Sequence, residues 1–508
     1  MNGSAARTRS IDDLPTAPAR IASLQEHLTK SQREIAALRH ELDILCQRLF
    51  GKKSERVDPR QLKLALEQLA NERGPITEPV EMDSGETPVR GHTRRPPTGR
   101  RPLPAHLPRR RVEIDVSEAE KQGGCGHPRT RIGEDVSEKL EYQPARFVVI
   151  ETVRPKYACP HCHEGVVAAP APPQAVEKSL AGDGLLAHVV VSKHVDHLPL
   201  HRLEGIFARE GIDLPRSTLC GWVADVATVL TPIGEQLRRE ITAADYLQTD
   251  DTTITVLGDD GGSFKGRIWT YLAPLTDQVV FDATTTHARD GPAAFLADFR
   301  GKLQADADRG YDGLYQSGRV IEVGCWAHGR RRFVEAFMTD TSAALMIALI
   351  QQLYQVERDA VDLDSAARLA LRQEQSVPLL AKIDAERRAL ARTVLPKSPV
   401  GEAVRYLTNQ SAALQRFVED GRLAIDNNRA ENQLRLVAVG RKNWLFAGSF
   451  EGARRAALLY SLVQSCKLID APPFEYRKDV LRRLPTHPHR LIHQLTPRGW
   501  TKTFGPAA

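Results

Sequence analysis

Between residues 250 and 325 the apolar pattern changes period, and that change restricts the chain to architectures built around a sheet with helices on it. Thr253 to Leu257 alternates, Gly258-Asp-Asp-Gly-Gly is turn chemistry, Arg267 to Leu272 alternates again, and Gln278 to Ala283 follows a further turn. Period-two alternation interrupted by Gly and Asp predicts three antiparallel strands. The spacing then predicts a helix over Pro292 to Arg300, a strand over Lys302 to Ala305, a short turn or helix over Tyr311 to Gln316 and a strand over Val320 to Gly324. Helical periodicity runs from Arg330 to about Val418, broken at Pro378, Pro396 and Pro399. A last helix opens after Asn427, with Asp426 or Asn427 as its cap.

Three strands, a helix, a strand, a connector, a strand and then helices is the order of an RNase H-like mixed α/β domain. Asp250 heads the first strand, Asp306 ends the fourth, and Glu431 lies on the helix after Asn427. In this topology the first and fourth strands are neighbours and the helix crosses them, so three distant carboxylates converge. Converging carboxylates stay ionised only around hard cations, and two Mg²⁺ ions ~3.5 to 4 Å apart fit phosphoryl transfer. Asp251, Asp308 and Asp426 are rival positions for the same roles. Cys325 and His328 read as a buried thiol and a hydrogen-bonded imidazole beside the site, since two soft ligands are too few for a metal. Arg330, Arg331 and Arg332 read as a phosphate-facing patch.

Upstream, Ile21, Leu24, Leu28, Ile35, Leu38, Leu42, Leu45 and Leu49 recur at spacings of three and four, with only Ser31 breaking the apolar series. Such a seam predicts a coiled-coil helix that self-associates through residues 21–49. The net charge of +6 is informative once located: residues 90–111 carry eight Arg and no Asp or Glu. Concentrated positive charge interleaved with Pro fits an extended tether on a polyanion, and Arg94, Arg95, Arg100 and Arg101 are candidate DNA contacts. Cys159 and Cys162 have the spacing of half a tetrahedral Zn²⁺ site; Cys125 and His127 are placed to complete it, with His161 and His163 as spares. Helices over Leu185 to Val195, Leu203 to Ala208 and Ser217 to Leu230 give a helix-turn-helix rhythm. In it Arg216, Ser217 and Thr218 open the candidate recognition helix and Ser217 or Thr218 caps it.

At 508 residues the chain exceeds one ordinary core. Hydrophobic residues at 41% and charged residues at 26% exclude wholesale disorder and fibrous classes. The longest strongly apolar run, Ala343 to Ile350, is far below the ~20 residues of a membrane span, and no secretory pattern opens the chain, so a cytoplasmic protein is expected. The fold class is therefore multidomain α+β. Its parts are an N-terminus over 1–20, a coiled-coil helix over 21–50, a helix and basic linker over 51–111 and a zinc-knuckle-like module over 112–175. A helical DNA-binding region over 176–240 precedes an RNase H-like core in two parts, 241–334 and 426–470, with a helical insertion over 335–425 and a C-terminal region over 471–508.

Several strings carry a resemblance. They include Arg48-Leu-Phe-Gly-Lys-Lys-Ser-Glu, Arg101-Pro-Leu-Pro-Ala-His-Leu-Pro-Arg, Arg154-Pro-Lys-Tyr-Ala-Cys-Pro-His-Cys and Leu198-Pro-Leu-His-Arg. Further strings are Gly324-Cys-Trp-Ala-His-Gly-Arg-Arg-Arg-Phe, Asp426-Asn-Asn-Arg-Ala-Glu-Asn and Gly440-Arg-Lys-Asn-Trp-Leu-Phe-Ala-Gly-Ser. Over about residues 48–500 the chain resembles the transposases of the insertion sequence 66 family, a DDE type. The resemblance implies DNA strand cleavage and transfer, catalytic carboxylates at Asp250, Asp306 and Glu431, and DNA contacts that include Arg441 and Lys442. It also implies a leucine-zipper-like N-terminus, a zinc-binding motif and two small companion proteins. The chain departs from the family in having Asp251 where Glu is usual and in reducing the first Cys pair to Gln122-Gly-Gly-Cys125, with His127 as the substitute ligand. A non-enzymatic DNA-binding regulator and a plain RNase H-like nuclease are the competing functions.

Overall fold

The computed structural model describes residues 57–73, 147–157, 167–258 and 260–505. The coiled-coil segment 21–49, the arginines Arg94, Arg95, Arg100 and Arg101, and the proposed zinc ligands Cys125, His127, Cys159 and Cys162 lie outside the described residues. Those described fall into two units, 147–157 with 167–172 in one and 57–73 with 173–505 in the other.

In the smaller unit Lys156–Tyr157 pairs antiparallel with Val167–Ala168, and the Arg154 guanidinium donates to the Ala169 carbonyl at 3.1 Å. The apolar run Val148 to Val153 forms no strand among the described residues, and Val149 is 93% exposed. Apolar side chains alone do not make a strand; the backbone needs an edge to pair with.

The larger unit is built on a five-stranded sheet: β1 (Tyr246–Leu257), β2 (Ser263–Ala273), β3 (Gln278–Thr284), β4 (Gly301–Gln304) and β5 (Val320–Val323). Its order is β3-β2-β1-β4-β5, with β1 to β3 antiparallel and β4 parallel to both β1 and β5. Helices cover both faces. The main ones are α1 (Pro59–Arg73), α2 (Asp183–His194), α3 (Leu200–Arg209), α4 (Arg216–Thr242), α5 (Trp326–Phe337), α6 (Ala344–Asp359), α7 (Val377–Thr393), α8 (Pro399–Asn409), α9 (Asn428–Trp444), α10 (Phe450–Leu468) and α11 (Pro473–Arg483).

Alternation along β2 distributes the core. Trp269 and Tyr271 join Leu230, Ile233, Leu237 and Ile241 of α4 on one face, while Ile268 and Leu272 join Leu434 and Val437 of α9 and Tyr460 of α10 on the other. The outer edge of β3 is closed by side chains: the Val279 and Phe281 amides donate to Ser465 Oγ and Ser461 Oγ of α10 at 3.1 and 2.8 Å. Helices α5 to α8 pack around a separate core, onto which α1 docks Leu62, Ala65, Leu66 and Leu69 at helical spacing. Among the described residues no helix is long and apolar enough to cross a membrane.

Several element limits differ from the pattern reading for local reasons. Helix α4 continues twelve residues past Leu230 and runs through Pro232, where the Thr231 hydroxyl donates to the Ala227 carbonyl. Neither Ser217 nor Thr218 caps it; the helix starts at Arg216, whose amide donates to Glu204 Oε1 of α3 at 3.1 Å. The helix expected over Pro292 to Arg300 is Asp290–Phe295. Pro378 does not break the insertion. It lies in the first turn of α7, and a π-helical turn over Arg372–Ser376 joins that turn to the helix Ser365–Leu371 before it.

Candidate active site

β1 begins at Tyr246, so Asp250 lies inside the strand instead of heading it, and this changes which face each carboxylate meets. The β1–β2 register is unbroken from Gln248↔Leu272 to Leu257↔Ser263. Asp250 therefore shares the face of Ile254 and Val256, the face α9 covers, whereas Asp251 shares the opposite face with its partner Trp269. There Asp251 is paired with Arg267 at 2.7 Å and with His287, stacked on Trp269, at 3.3 Å.

The second carboxylate arrives by repetition. Leu247-Gln-Thr-Asp250 and Leu303-Gln-Ala-Asp306 share three of four residues and begin on neighbouring parallel strands, in register at Leu247↔Leu303 and Gln248↔Gln304. Asp306 thus leaves β4 beside Asp250. Ala307 follows with φ of 67°, a left-handed conformation unusual for a residue with a Cβ. Beyond it Asp308 serves as a local cap, accepting from the Gly310 amide at 2.7 Å, with His287 3.9 Å away.

Helix α9 is fastened to β1 at both ends. Asn427 Nδ2 donates to the Thr249 carbonyl at 3.0 Å, and Gln248 Nε2 donates to the Asp426 carbonyl at 2.9 Å. At the far end Arg441 donates to Thr252 Oγ1 and the Thr253 carbonyl at 2.8 and 2.6 Å. Gln248 Nε2 also reaches Gln304 Oε1 at 2.9 Å, and Gln304 Nε2 donates to the Gly324 and Ala424 carbonyls at 2.9 Å. This buried polar cluster, completed by Tyr246, ties β1, β4, the end of β5 and the approach to α9 into one frame. Glu431, one turn into α9, is placed by it.

The electrostatics show Glu431 and Asp306 both acting on Asp250. The Asp250 carboxyl is pushed up to about 8, first by burial and then by the negative charges of Glu431, Asp306 and Asp251, against the opposing hydrogen bond from the Asp251 amide at 2.8 Å. His328 Nε2 stands 3.5 Å from Glu431 Oε1, and Arg331 stands 3.8 Å from Oε2. Burial pushes the His328 imidazole down, while Glu431 and Asp306 pull it up less strongly. Glu431 Oε1 is buried and accepts no hydrogen bond. Burial raises the Cys325 thiol to about 12, which fits the expected structural cysteine.

The rival Asp426 is fully engaged, accepting from the Tyr354 hydroxyl and the Asn428 side-chain amide, each at 2.9 Å. The predicted basic residues separate. Arg332 lies over the Tyr406 ring at 4.6 Å, Arg330 is half-buried, Arg441 is consumed by β1, and Arg216, Ser217 and Lys442 are exposed with Thr218 half-buried. Gln248, Gln304 and His287 escaped sequence reasoning, although the repeated Leu-Gln pair was a visible signal for the first two, and Asn427 was read only as a cap.

The donor set suits a hard divalent cation: three carboxylates, one of them raised by the charges of the other two and one with a buried oxygen that accepts no hydrogen bond, and no soft ligand among them. Among the described residues no three His, Cys, Asp or Glu side chains are drawn together as closely as ligands of one ion.

The family model described as Transposase IS66 family matches residues 178–455, more than half the chain. A zinc-finger binding domain of transposase IS66 matches 123–163, a model described as Transposase C of IS166 homeodomain matches 37–112, and the IS66 C-terminal element matches 461–498. Two proteins of Sinorhizobium fredii, uncharacterized protein y4hP and uncharacterized protein y4qI, are 34% and 32% identical. The matches cover 92% and 93% of this chain, and 89% and 90% of theirs. No solved structure matches. By the extent of these matches, the chain belongs to the Transposase IS66 family.

Proposed function

We propose that this chain is a DDE transposase that binds the double-stranded ends of its element and cuts and rejoins DNA by phosphoryl transfer. Asp250, Asp306 and Glu431 would hold two Mg²⁺ ions. The observation that supports this reading is that the charges of Glu431, on α9, and Asp306, after β4, both act on the buried Asp250 carboxyl of β1 and on His328. The sheet order β3-β2-β1-β4-β5 supports an RNase H-like catalytic domain. When bound, the ions supply charge that steadies the attacking and leaving oxygens of the displacement.

The chain's own residues supply geometry. The glutamine frame beneath Asp250 and Asp306 resists recoil of two like charges, and the fastenings of α9 hold Glu431 over them. Arg331 balances the charge of Glu431, and His328 stands against its Oε1. Outside this domain, Arg94, Arg95, Arg100 and Arg101 contact phosphates, Arg216, Ser217 and Thr218 at the start of α4 contact the element end, and residues 21–49 join two copies. Cys125, His127, Cys159 and Cys162 hold one Zn²⁺, a reading supported by the zinc-finger match. The two small companion proteins act with it on DNA in the cytoplasm.

The test is a duplex carrying the element's own end. Wild-type protein should nick it with Mg²⁺ and not without, and Glu431→Gln should lose nicking on the order of a hundredfold or more while still shifting the duplex in a gel. Nicking by Glu431→Gln at the wild-type rate would overturn the assignment.

A further inference from the structure

The helix that carries Glu431 has an outer face that the metal site does not use. Asn428, Asn432, Arg435, Val439 and Lys442 are its exposed residues at spacings of four and three, so they form one stripe along α9. Glu431 borders that stripe. Neither Arg435 nor Lys442 has an acidic partner among the described residues. At a rise of about 1.5 Å per residue they stand about 6 and 16 Å along the axis from Glu431.

The stripe ends in an apolar tip. Leu445 is 66% exposed and Phe446 45%, and Leu445 has φ of 64°, a strained conformation for a bulky residue. The tip is rigidly mounted. On one side the Leu445 amide donates to the Arg441 carbonyl at 3.0 Å, and Arg441 is tied to β1. On the other side Ala447 extends β1, its amide donating to the Thr255 carbonyl at 2.9 Å and its carbonyl accepting from the Leu257 amide at 3.0 Å. Two large apolar side chains held in solvent at the end of a basic stripe are not explained by the core.

We infer that this face is a DNA-contacting surface in which Arg435 and Lys442 bind backbone phosphates of double-stranded DNA and the Leu445–Phe446 tip packs against unstacked bases beside the cleaved phosphate. The inference deepens the transposase reading and rests on it for the choice of partner. Charge complementarity selects a polyanion, and an apolar wedge next to cations is how proteins hold a disrupted base step.

The experiment reads binding without added Mg²⁺, so that it is independent of cleavage. Full-length protein is titrated by fluorescence anisotropy, across a salt series, with a short duplex of arbitrary sequence and with the same duplex carrying an unpaired fork. Arg435→Ala and Lys442→Ala should each take about 0.9 off the slope of log affinity against log salt. Phe446→Ala should keep the slope but lose about five-fold or more of the affinity for the forked probe, and with it the wild-type preference for that probe. Leu445→Gly should do the same while relieving the positive φ, so loss of folding cannot account for it. Unaltered slopes and unaltered fork preference in these variants would overturn the inference and leave the face to a protein partner. A wild type that binds neither probe would overturn it as well. A wild type that prefers the fork but never cleaves with Mg²⁺ would uphold this surface and count against the catalytic assignment.

Discussion

Asp250 is a carboxyl in a place that favours its neutral form, and this has a consequence for stability. Its folded value of about 8 lies above the ordinary value of 3.8, so between those limits the folded protein holds a proton that the unfolded chain releases. The associated stability is complete at low pH and is lost as pH rises through about 8. Without divalent ions the melting temperature should therefore fall from pH 5 to 8 more steeply in the wild type than in Asp250→Asn, and Mg²⁺ should raise it more at pH 8 than at pH 6. Parallel melting curves for the two proteins across this range would contradict the shift. The choice of Asp250 over Asp251 depends on strand parity, which the sequence leaves open: two adjacent Asp face opposite sides of a sheet, and only the register with β2 decides which side α9 covers.

At the scale of elements, the alternating strands and the helix bearing Glu431 were legible because period two and period 3.6 differ sharply over five to twelve residues. The fastenings were not. Pro378 reads as a break but is absorbed by a π-helical turn, and that turn has its own task. Arg372, fully buried within it, pairs with both oxygens of Glu357 at 2.8 and 2.6 Å and donates to the Phe417 and Leu423 carbonyls at 2.7 and 2.9 Å. It thereby fixes the segment that returns from the insertion to Asn427 and Glu431. Arg372→Ala would leave Glu357 without its partner and free the carbonyls of Phe417, Leu423 and Asp420, at a cost of about 3 to 5 kcal/mol. Thermal unfolding should show the loss; an unchanged melting temperature would mean that the insertion is held by its apolar core alone. Long-range polar ties of this kind leave no period in the sequence, which is why Arg372 and the tie from Asn427 to Thr249 were invisible to it.

For the whole molecule, the sheet's helices give a rigid platform on which α9 lies fixed at both ends. Side chains distant in sequence then come onto neighbouring strands because β1 and β4 carry nearly the same string in register. The zinc module makes a separate claim: protein purified without chelators should contain about one Zn per chain, lost in Cys159→Ser. Metal-free protein that folds and binds DNA would contradict it. The central claim is that Asp250, Asp306 and Glu431, and not their neighbours, hold the catalytic ions. The direct measurement is Mg²⁺-dependent cleavage of end-bearing DNA beside binding at one salt concentration, for Asp250→Asn, Asp306→Asn and Glu431→Gln against Asp251→Asn, Asp308→Asn and Asp426→Asn. The first three should bind yet lose cleavage on the order of a hundredfold or more, while the second three lose far less. Full cleavage by any of the first three, or loss in Asp308→Asn with none in Asp306→Asn, would contradict the account.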